Sequence, residues 1–426
     1  MKYLNHVSFA GLLRLGCAAL VVGVAGCGGE DGGAASGGAA GAAGGNGANG
    51  GSGNGSGNGG SAGDGGSGNA SSGGSGNGSS GGSSGSGGGG GSSASGGSSA
   101  SGGSGGSAGG GAGLSSKYPG DVGIAGDPDV IFHSDFESDM RGWTSFTQNT
   151  QRLSVKSGSG QANGGSKYME AKVTRSMLAA DQYISTQARF MFPAREEQIY
   201  WRYYTQFVGE TAVPHHWVRV GAGNDTFNLD GLAGKVPQGN EGFWFDLDAR
   251  DDGSFSFYAY WHEMHSWMCN DGSTDPGCAG YNGPASTPYY GNNFHPAAQQ
   301  PFPRDQWFCV EIMAKANTPG NYDGELALWV DDELVGEYRT GTPRGRWLRD
   351  NFYSHGQYFQ DVQAFEGFNF RTAANVGLKA ITLDAYYERG TLDAKEQRGI
   401  TVPEEQISLY DDVVLARQRV GCKVGG

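Results

Sequence analysis

The chain holds 426 residues, 81 of them glycine and 11% aromatic, with a formal net charge of −14 at pH 7. The first 116 residues carry few charges and almost no aromatics, so the acid surplus and the aromatic content belong to residues 117–426. An acidic domain of this kind is disfavoured as a non-specific nucleic-acid binder.

Lys2 and Arg14 lead into an apolar run over residues 15–25 that is too short to span a bilayer as a mature helix. Residues 1–26 therefore read as a signal peptide. Val24, Ala25 and Gly26 stand directly before Cys27, an arrangement that resembles the lipobox of bacterial lipoproteins. The resemblance implies that Cys27 is lipidated and becomes the mature N-terminus, with membrane contact through the lipid alone. Gly28 follows where an Asp would mark inner-membrane retention, so the outer membrane or the cell surface is the expected place. Ordinary cleavage at a small residue, leaving Cys27 a free thiol, is the alternative. Residues 27–116 are almost wholly Gly, Ser, Ala and Asn, which cannot bury enough apolar surface to offset chain entropy. They are expected to form a disordered tether spanning roughly 50 Å root-mean-square.

Residues 117–426 alternate short apolar or aromatic runs with Gly, Pro, Asn and Asp breaks, the pattern of a single all-β domain. Strands are predicted over residues 187–192, 200–208, 243–247, 254–261, 307–315, 326–330, 367–371, 381–387 and 407–417, with little helix. Connections too short for crossover helices favour a two-sheet antiparallel β-sandwich. An aromatic-rich exported β domain points towards a polysaccharide partner, and a monomer is expected. Four cysteines in an exported domain suggest two disulfides. Cys269 and Cys278 enclose a short polar loop, which leaves Cys309 to pair with Cys422; the spacings are not those of a zinc ribbon.

Period-two reading of residues 255–262 puts Phe255, Phe257, Ala259 and Trp261 towards the core and Ser256, Tyr258, Tyr260 and His262 on the other face. Along residues 200–206, Tyr200, Arg202, Tyr204 and Gln206 share a face in the same way. Both ladders are expected to line one groove. His215 and His216 sit at a loop-to-strand entry near the rim, and only one of two adjacent histidines can face a ligand. Tyr289 and Tyr290 belong to a Pro/Gly-rich loop suited to cover a groove. Arg202, Arg219, Lys235 and Arg371 are the cations available to make part of it positive. His262 and His265 lack the four-residue spacing of a zincin.

The run Trp307-Phe308-Cys309-Val310-Glu311, then Asn317-Thr318-Pro319-Gly320, Tyr322-Asp323-Gly324 and Leu328-Trp329-Val330-Asp331-Asp332, resembles the paired strands of concanavalin-like jelly rolls. With Phe132-His133-Ser134-Asp135-Phe136-Glu137 at the start and Leu409-Tyr410-Asp411-Asp412-Val413-Val414 at the end, the domain resembles polysaccharide lyase-like jelly rolls, which include glucuronan and alginate lyases. The resemblance implies a jelly roll and a uronate-directed β-elimination. That reaction needs a group to neutralise the carboxylate, for which Arg202 and Gln206 are suited, and a base and an acid, for which Tyr258 or Tyr260 with His262 are suited. Tyr204, His215, Arg219, Tyr289 and Arg371 are the expected substrate contacts. It also implies a structural Ca²⁺ held by Glu137 with Asp411 or Asp412, acids that otherwise read as surface turn residues. A non-catalytic carbohydrate-binding or adhesion module is the alternative. A glycoside hydrolase is the second alternative, weakened by the absence of a Glu-x-Asp-x-x-Glu strand; Asp246 and Asp248 are its one candidate pair.

Overall fold

The computed structural model describes residues 113–158, 160–266, 289–297, 301–354 and 362–425. The expected signal peptide, Cys27, residues 28–112 of the expected tether and the Cys269–Cys278 pair lie outside them, while residues 113–116, assigned to the tether from composition, form a short ordered turn with Leu114 and Ser115 buried. Two large sheets form the domain, as the alternating pattern predicts. The first runs Glu333–Tyr338, Glu325–Val330, Phe308–Lys315, Gln198–Phe207, Glu405–Ala416, Lys167–Thr174, Leu153–Ser157, with Val130–Ser134 also pairing on Glu405–Ala416. The second runs Gln363–Ala364, Arg344–Leu348, Asn351–Ser354, Asn292–His295, Phe255–Tyr260, Gly242–Ala249, Val218–Gly223, Gly377–Leu383, Ala188–Glu196, Ser145–Phe146. Pairing is antiparallel except between Asn292–His295 and Asn351–Ser354.

Aromatic side chains from both sheets meet in the core. Tyr203 and Phe207 of the first sheet pack against Trp217 at 5.8 and 5.3 Å between ring centres, and Phe255 stacks on the same indole at 5.9 Å. Each such fully buried ring contributes about 1.5–3 kcal/mol of transfer free energy. One pair of buried polar tips is satisfied across the sandwich, with Trp217 Nε1 donating to the Tyr410 hydroxyl at 2.7 Å, which donates to the Asp384 carbonyl at 2.6 Å, whereas the Tyr203 hydroxyl is buried without a hydrogen-bond partner. The core thereby fixes the main chain at Asp384, on the far side of which the groove described below opens.

Two short helices, Arg175–Ala180 and Arg389–Gln397, interrupt the all-β pattern. The first starts at Thr174, whose hydroxyl accepts from Met177 N at 3.1 Å, an N-cap too local to register as helical periodicity. Residues 367–371 form no strand. They are a buried loop in which Phe368 and Phe370 stack at 4.4 Å, and aromatic alternation there reflects packing rather than pairing. Gly367 has φ +93°, and a Cβ at this position would meet the Tyr322 carbonyl, so glycine is required.

The outer face of the first sheet is sealed by both ends of the domain. Ser115 Oγ donates to Val420 O at 2.8 Å, tying the entering and leaving segments together. A Cys309–Cys422 disulfide, closing a separation of 113 residues, pins the leaving segment to the sheet. Arg202 is fully buried beneath this cover, paired with Asp121 and donating to Asp412 O at 2.9 Å. Glu311, opposite Arg202 in the register, accepts from Val420 N at 2.6 Å and Gly421 N at 3.1 Å. The Tyr204 hydroxyl accepts from Lys423 N at 2.8 Å. Arg202, Tyr204 and Gln206 thus stand on the opposite side of the sandwich from Tyr258 and Tyr260, and the two ladders do not line one groove.

Candidate functional site

The outer face of the second sheet is open. Strand register there aligns side chains across neighbouring strands: Arg189 opposite Thr382, Thr382 opposite Arg219, Arg219 opposite Asp246, Asp246 opposite Tyr258, and Tyr258 opposite Asn293. Six strands at about 4.8 Å spacing make this row roughly 24 Å long. The next row contains Trp244 and Tyr260, again directly opposite each other. A cavity of about 190 Å³ sits over these rows, walled by Gln187, His215, His216, Arg219, Trp244, Tyr258, Tyr260, Tyr290, Asp384 and Tyr386. It shares His215, His216, Tyr258 and Tyr290 with an adjoining basin of about 660 Å³, so the two form one groove.

Two phenols lie side by side at its centre, with the Tyr258 and Tyr260 hydroxyl oxygens 3.3 Å apart and Gly291 N donating to Tyr258 at 2.8 Å. Burial, with Tyr260 beside it, pushes the Tyr258 phenol well above its ordinary value; burial pushes Tyr260 up to about 12. Both are therefore protonated at neutral pH. His216 lies against the Tyr258 ring at 4.8 Å. Burial disfavours its imidazolium, but Asp248 and Asp246 outweigh burial and raise its pKa. Loss of water around His215, together with His216 and Lys395 nearby, lowers that imidazole, which keeps a solvent-exposed edge. Asp384, in the cavity wall, is pushed up to about 6 by burial although Ser185 Oγ, Thr186 N and Gln187 Nε2 all donate to it.

The cations of the row are engaged by acids. Arg219 grips Asp246 with Nε at 2.7 Å and Nη2 at 3.1 Å, lies 3.3 Å from Asp230, and stacks over Trp244 at 4.1 Å. Arg189 holds Asp230 through two bonds of 2.9 and 2.8 Å. His216 closes the series, with Nδ1 at 3.3 Å from Asp248 and 3.6 Å from Asp246. Acids and bases alternate along it and balance when His216 is protonated.

Of the residues predicted from the sequence, Tyr258, Tyr260, His215 and Arg219 meet in the groove. Others do not. His262 lies two residues past the end of the Phe255–Tyr260 strand, so the alternation no longer sets its direction; it packs against Gly239, and its Nε2 is buried with no hydrogen-bond partner. Tyr289 belongs to the core, and its neighbour Tyr290 lines the groove. Arg371 is buried elsewhere, with its guanidinium on Glu197 at 3.1 Å and on the Asn317 carbonyl at 2.7 Å. Lys235 lies outside the residues lining the cavity and the basin. Asp246 and Asp248, the carboxylate pair of the glycoside-hydrolase alternative, face His216. Gln187, Trp244, Asp384 and Tyr386 were missed, because each joins the groove through register or loop packing that no local pattern records.

The three acids expected to bind calcium gather around one loop. Asp411 accepts from Asn163 N at 2.9 Å and Gly164 N at 3.1 Å, Asp412 from Asn163 Nδ2 at 2.6 Å, and Glu137 from Lys167 N at 2.7 Å. Adjacent strand residues normally face opposite ways, but a register shift between Asp411 and Val414, with Asp412 at φ +48°, turns both carboxylates towards Asn163. Burial and the neighbouring Asp412 raise the Asp411 carboxyl to about 8. Lys423 Nζ, 2.9 Å from Asp412, offsets part of the charge. The two aspartates are buried together, but Glu137 caps Ser166 and Lys167 further along the loop, so the three carboxylates do not converge on one point as those around His216 do.

No protein-family model matches the chain, and no curated protein sequence matches it. Among solved structures it is similar to an alginate lyase from Chlorella virus, at 12% identity and a TM-score of 0.41, covering 68% of this chain and 100% of that one. It is also similar to an alginate lyase from Aplysia kurodai, at 13% identity and 0.39, covering 68% and 97%. A third is an endo-β-1,4-glucuronan lyase from the fungus Trichoderma reesei, at 10% and 0.37, covering 67% and 95%. These likenesses are in strand arrangement and carry no residue role or activity over to this chain.

Proposed function

We propose that the groove binds an extracellular polysaccharide and cleaves a uronate-containing one by β-elimination. The observation that carries this reading is the convergence of Tyr258, Tyr260, His215, His216 and Arg219 in one aromatic-walled cavity. In this reading the His216 imidazolium and Gln187 face the uronate carboxylate and make the C5 proton more acidic, with Arg219 behind them. His215, held neutral, takes that proton. Tyr260, a protonated phenol, gives one to the glycosidic oxygen as the C4–O4 bond breaks and the C4–C5 double bond forms. The roles first given to Arg202, Gln206 and His262 fall to His216, Gln187 and His215.

A specific observation supports the binding-module reading as second choice. Arg219 already spends its charge on Asp246 and Asp230, which weakens its hold on a polyanion. The two are separated by following ultraviolet absorbance of the unsaturated product on a panel of polyuronates. A rising signal on one polymer supports the lyase; retention on a polysaccharide gel without any signal supports the module. On the same reading Ca²⁺ held by Glu137 and Asp411 stabilises the fold without touching the groove. Calorimetric titration of chelator-treated protein checks this, with Asp411→Asn expected to abolish the Ca²⁺ heat. The lipobox-like Cys27 and the tether support a cell-surface position, which mass spectrometry of the mature N-terminus tests.

A further inference from the structure

We infer that His216, Asp246 and Asp248 form a binding site for a divalent transition-metal ion, Zn²⁺ or Mn²⁺, opening on the groove. Among the described residues these are the three His, Cys, Asp or Glu side chains whose ligand atoms converge, all lying within 4.8 Å of one another. The chain builds the trio from two elements. Asp246 and Asp248 stand two residues apart on the Gly242–Ala249 strand and so share a face, and His216 enters the adjacent Val218–Gly223 strand from its loop. One oxygen of Asp248 accepts from Trp217 N at 3.1 Å, which orients the carboxylate and leaves its other oxygen towards His216.

The spacing accommodates a metal ion as well as an ion pair. A charge-assisted nitrogen–oxygen bond closes to about 2.7–2.9 Å, as Arg219 does on Asp246 at 2.7 Å. His216 Nδ1 stands off instead, at 3.3 Å from one carboxylate and 3.6 Å from the other. Ligands bound to Zn²⁺ at about 2.0–2.2 Å in tetrahedral geometry are separated from each other by roughly 3.3–3.6 Å. One imidazole nitrogen with two carboxylate oxygens is a donor set suited to Zn²⁺ or Mn²⁺. His216 and Asp248 also line the basin, so the remaining coordination position faces the groove, where a hydroxyl or carboxylate oxygen of a sugar completes it. The ion replaces the charge of the imidazolium with a larger one. Its engagement with substrate rests on the proposed function, whereas its binding does not.

The test is calorimetric titration of the untagged, chelator-treated full chain with ZnCl2 and with MnCl2, in a background of excess CaCl2 that fills any site at Glu137 and Asp411. One saturable site per chain is expected, weakened more than tenfold in His216→Ala and in Asp248→Asn and unchanged in Glu137→Gln. Circular dichroism establishes that each variant is folded. X-ray absorption of the Zn²⁺-loaded wild-type protein supplies a second readout, expected to show one imidazole among oxygen ligands even where a variant fails to fold. Absence of saturable binding, binding indifferent to both substitutions, or a Zn²⁺ shell without imidazole overturns the inference. If the metal binds and no polyuronate is cleaved, the site stands and the lyase reading falls.

Discussion

The outer faces of the two sheets carry similar residues and differ in what covers them. Arg202 and Tyr204 on one match Arg219 and Tyr258 on the other in chemistry, and both faces show an arginine paired with an aspartate. On the first, the entering and leaving segments lie over the sheet, held by the Cys309–Cys422 bond, by Glu311 and by the Arg202–Asp121 pair. On the second, the strands are left open beneath a groove. The same polar ladder is thus a clamp where the termini cross it and a candidate site where they do not.

Breaking the clamp is expected to have the largest effect. Cys309→Ser with Cys422→Ser releases a loop closed over 113 residues and lowers stability by roughly 4–5 kcal/mol on the chain-entropy account, read by denaturant unfolding under oxidising conditions. Arg202→Met leaves Asp121 buried without its partner and costs about 3–5 kcal/mol, while turnover per folded molecule stays at the wild-type level. Loss of turnover without loss of stability would return Arg202 to the chemistry and undo the contrast.

On the open face the signs reverse. Tyr260→Phe removes the proposed acid and is expected to slow elimination by about 100- to 10,000-fold. Its stability changes by about 1 kcal/mol, because the hydroxyl's 3.3 Å contact to Tyr258 is lost. A pH titration sharpens the same point at Asp384. Its carboxyl rises from an ordinary 3.8 to about 6 on folding, so between those values the folded chain binds more protons than the unfolded one. That contribution to stability is present below about pH 4 and lost as pH rises through 6; Asp384→Asn flattens this segment of a stability-versus-pH curve. The smallest effect is expected of His262→Ala, which stands apart from the groove and leaves turnover unchanged within assay error.

Legibility followed the range of the interactions involved. The strands over residues 243–247, 254–261, 307–315 and 407–417 were readable because alternation is set by neighbours two apart, and the structure shows them within a residue or two of those bounds. Tyr258 and Tyr260 were readable for the same reason. The prediction failed at His262, two residues beyond Tyr260, because the strand ends at Tyr260. It failed at Arg371 because aromatic alternation in a buried loop imitates a strand.

From its residues alone the chain determines an all-β domain, the Cys309–Cys422 pairing, and the alternation of side chains along regular strands such as Phe255–Tyr260. Those properties come from local sterics and from a small number of cysteines. Which face is open is a non-local matter: it depends on where residues 113–127 and 417–425 are laid down, and on bonds such as Ser115 to Val420 across 305 positions. The meeting of Arg219, Asp246 and Tyr258 is likewise a product of strand register, and register is set by whole-sheet packing against the core.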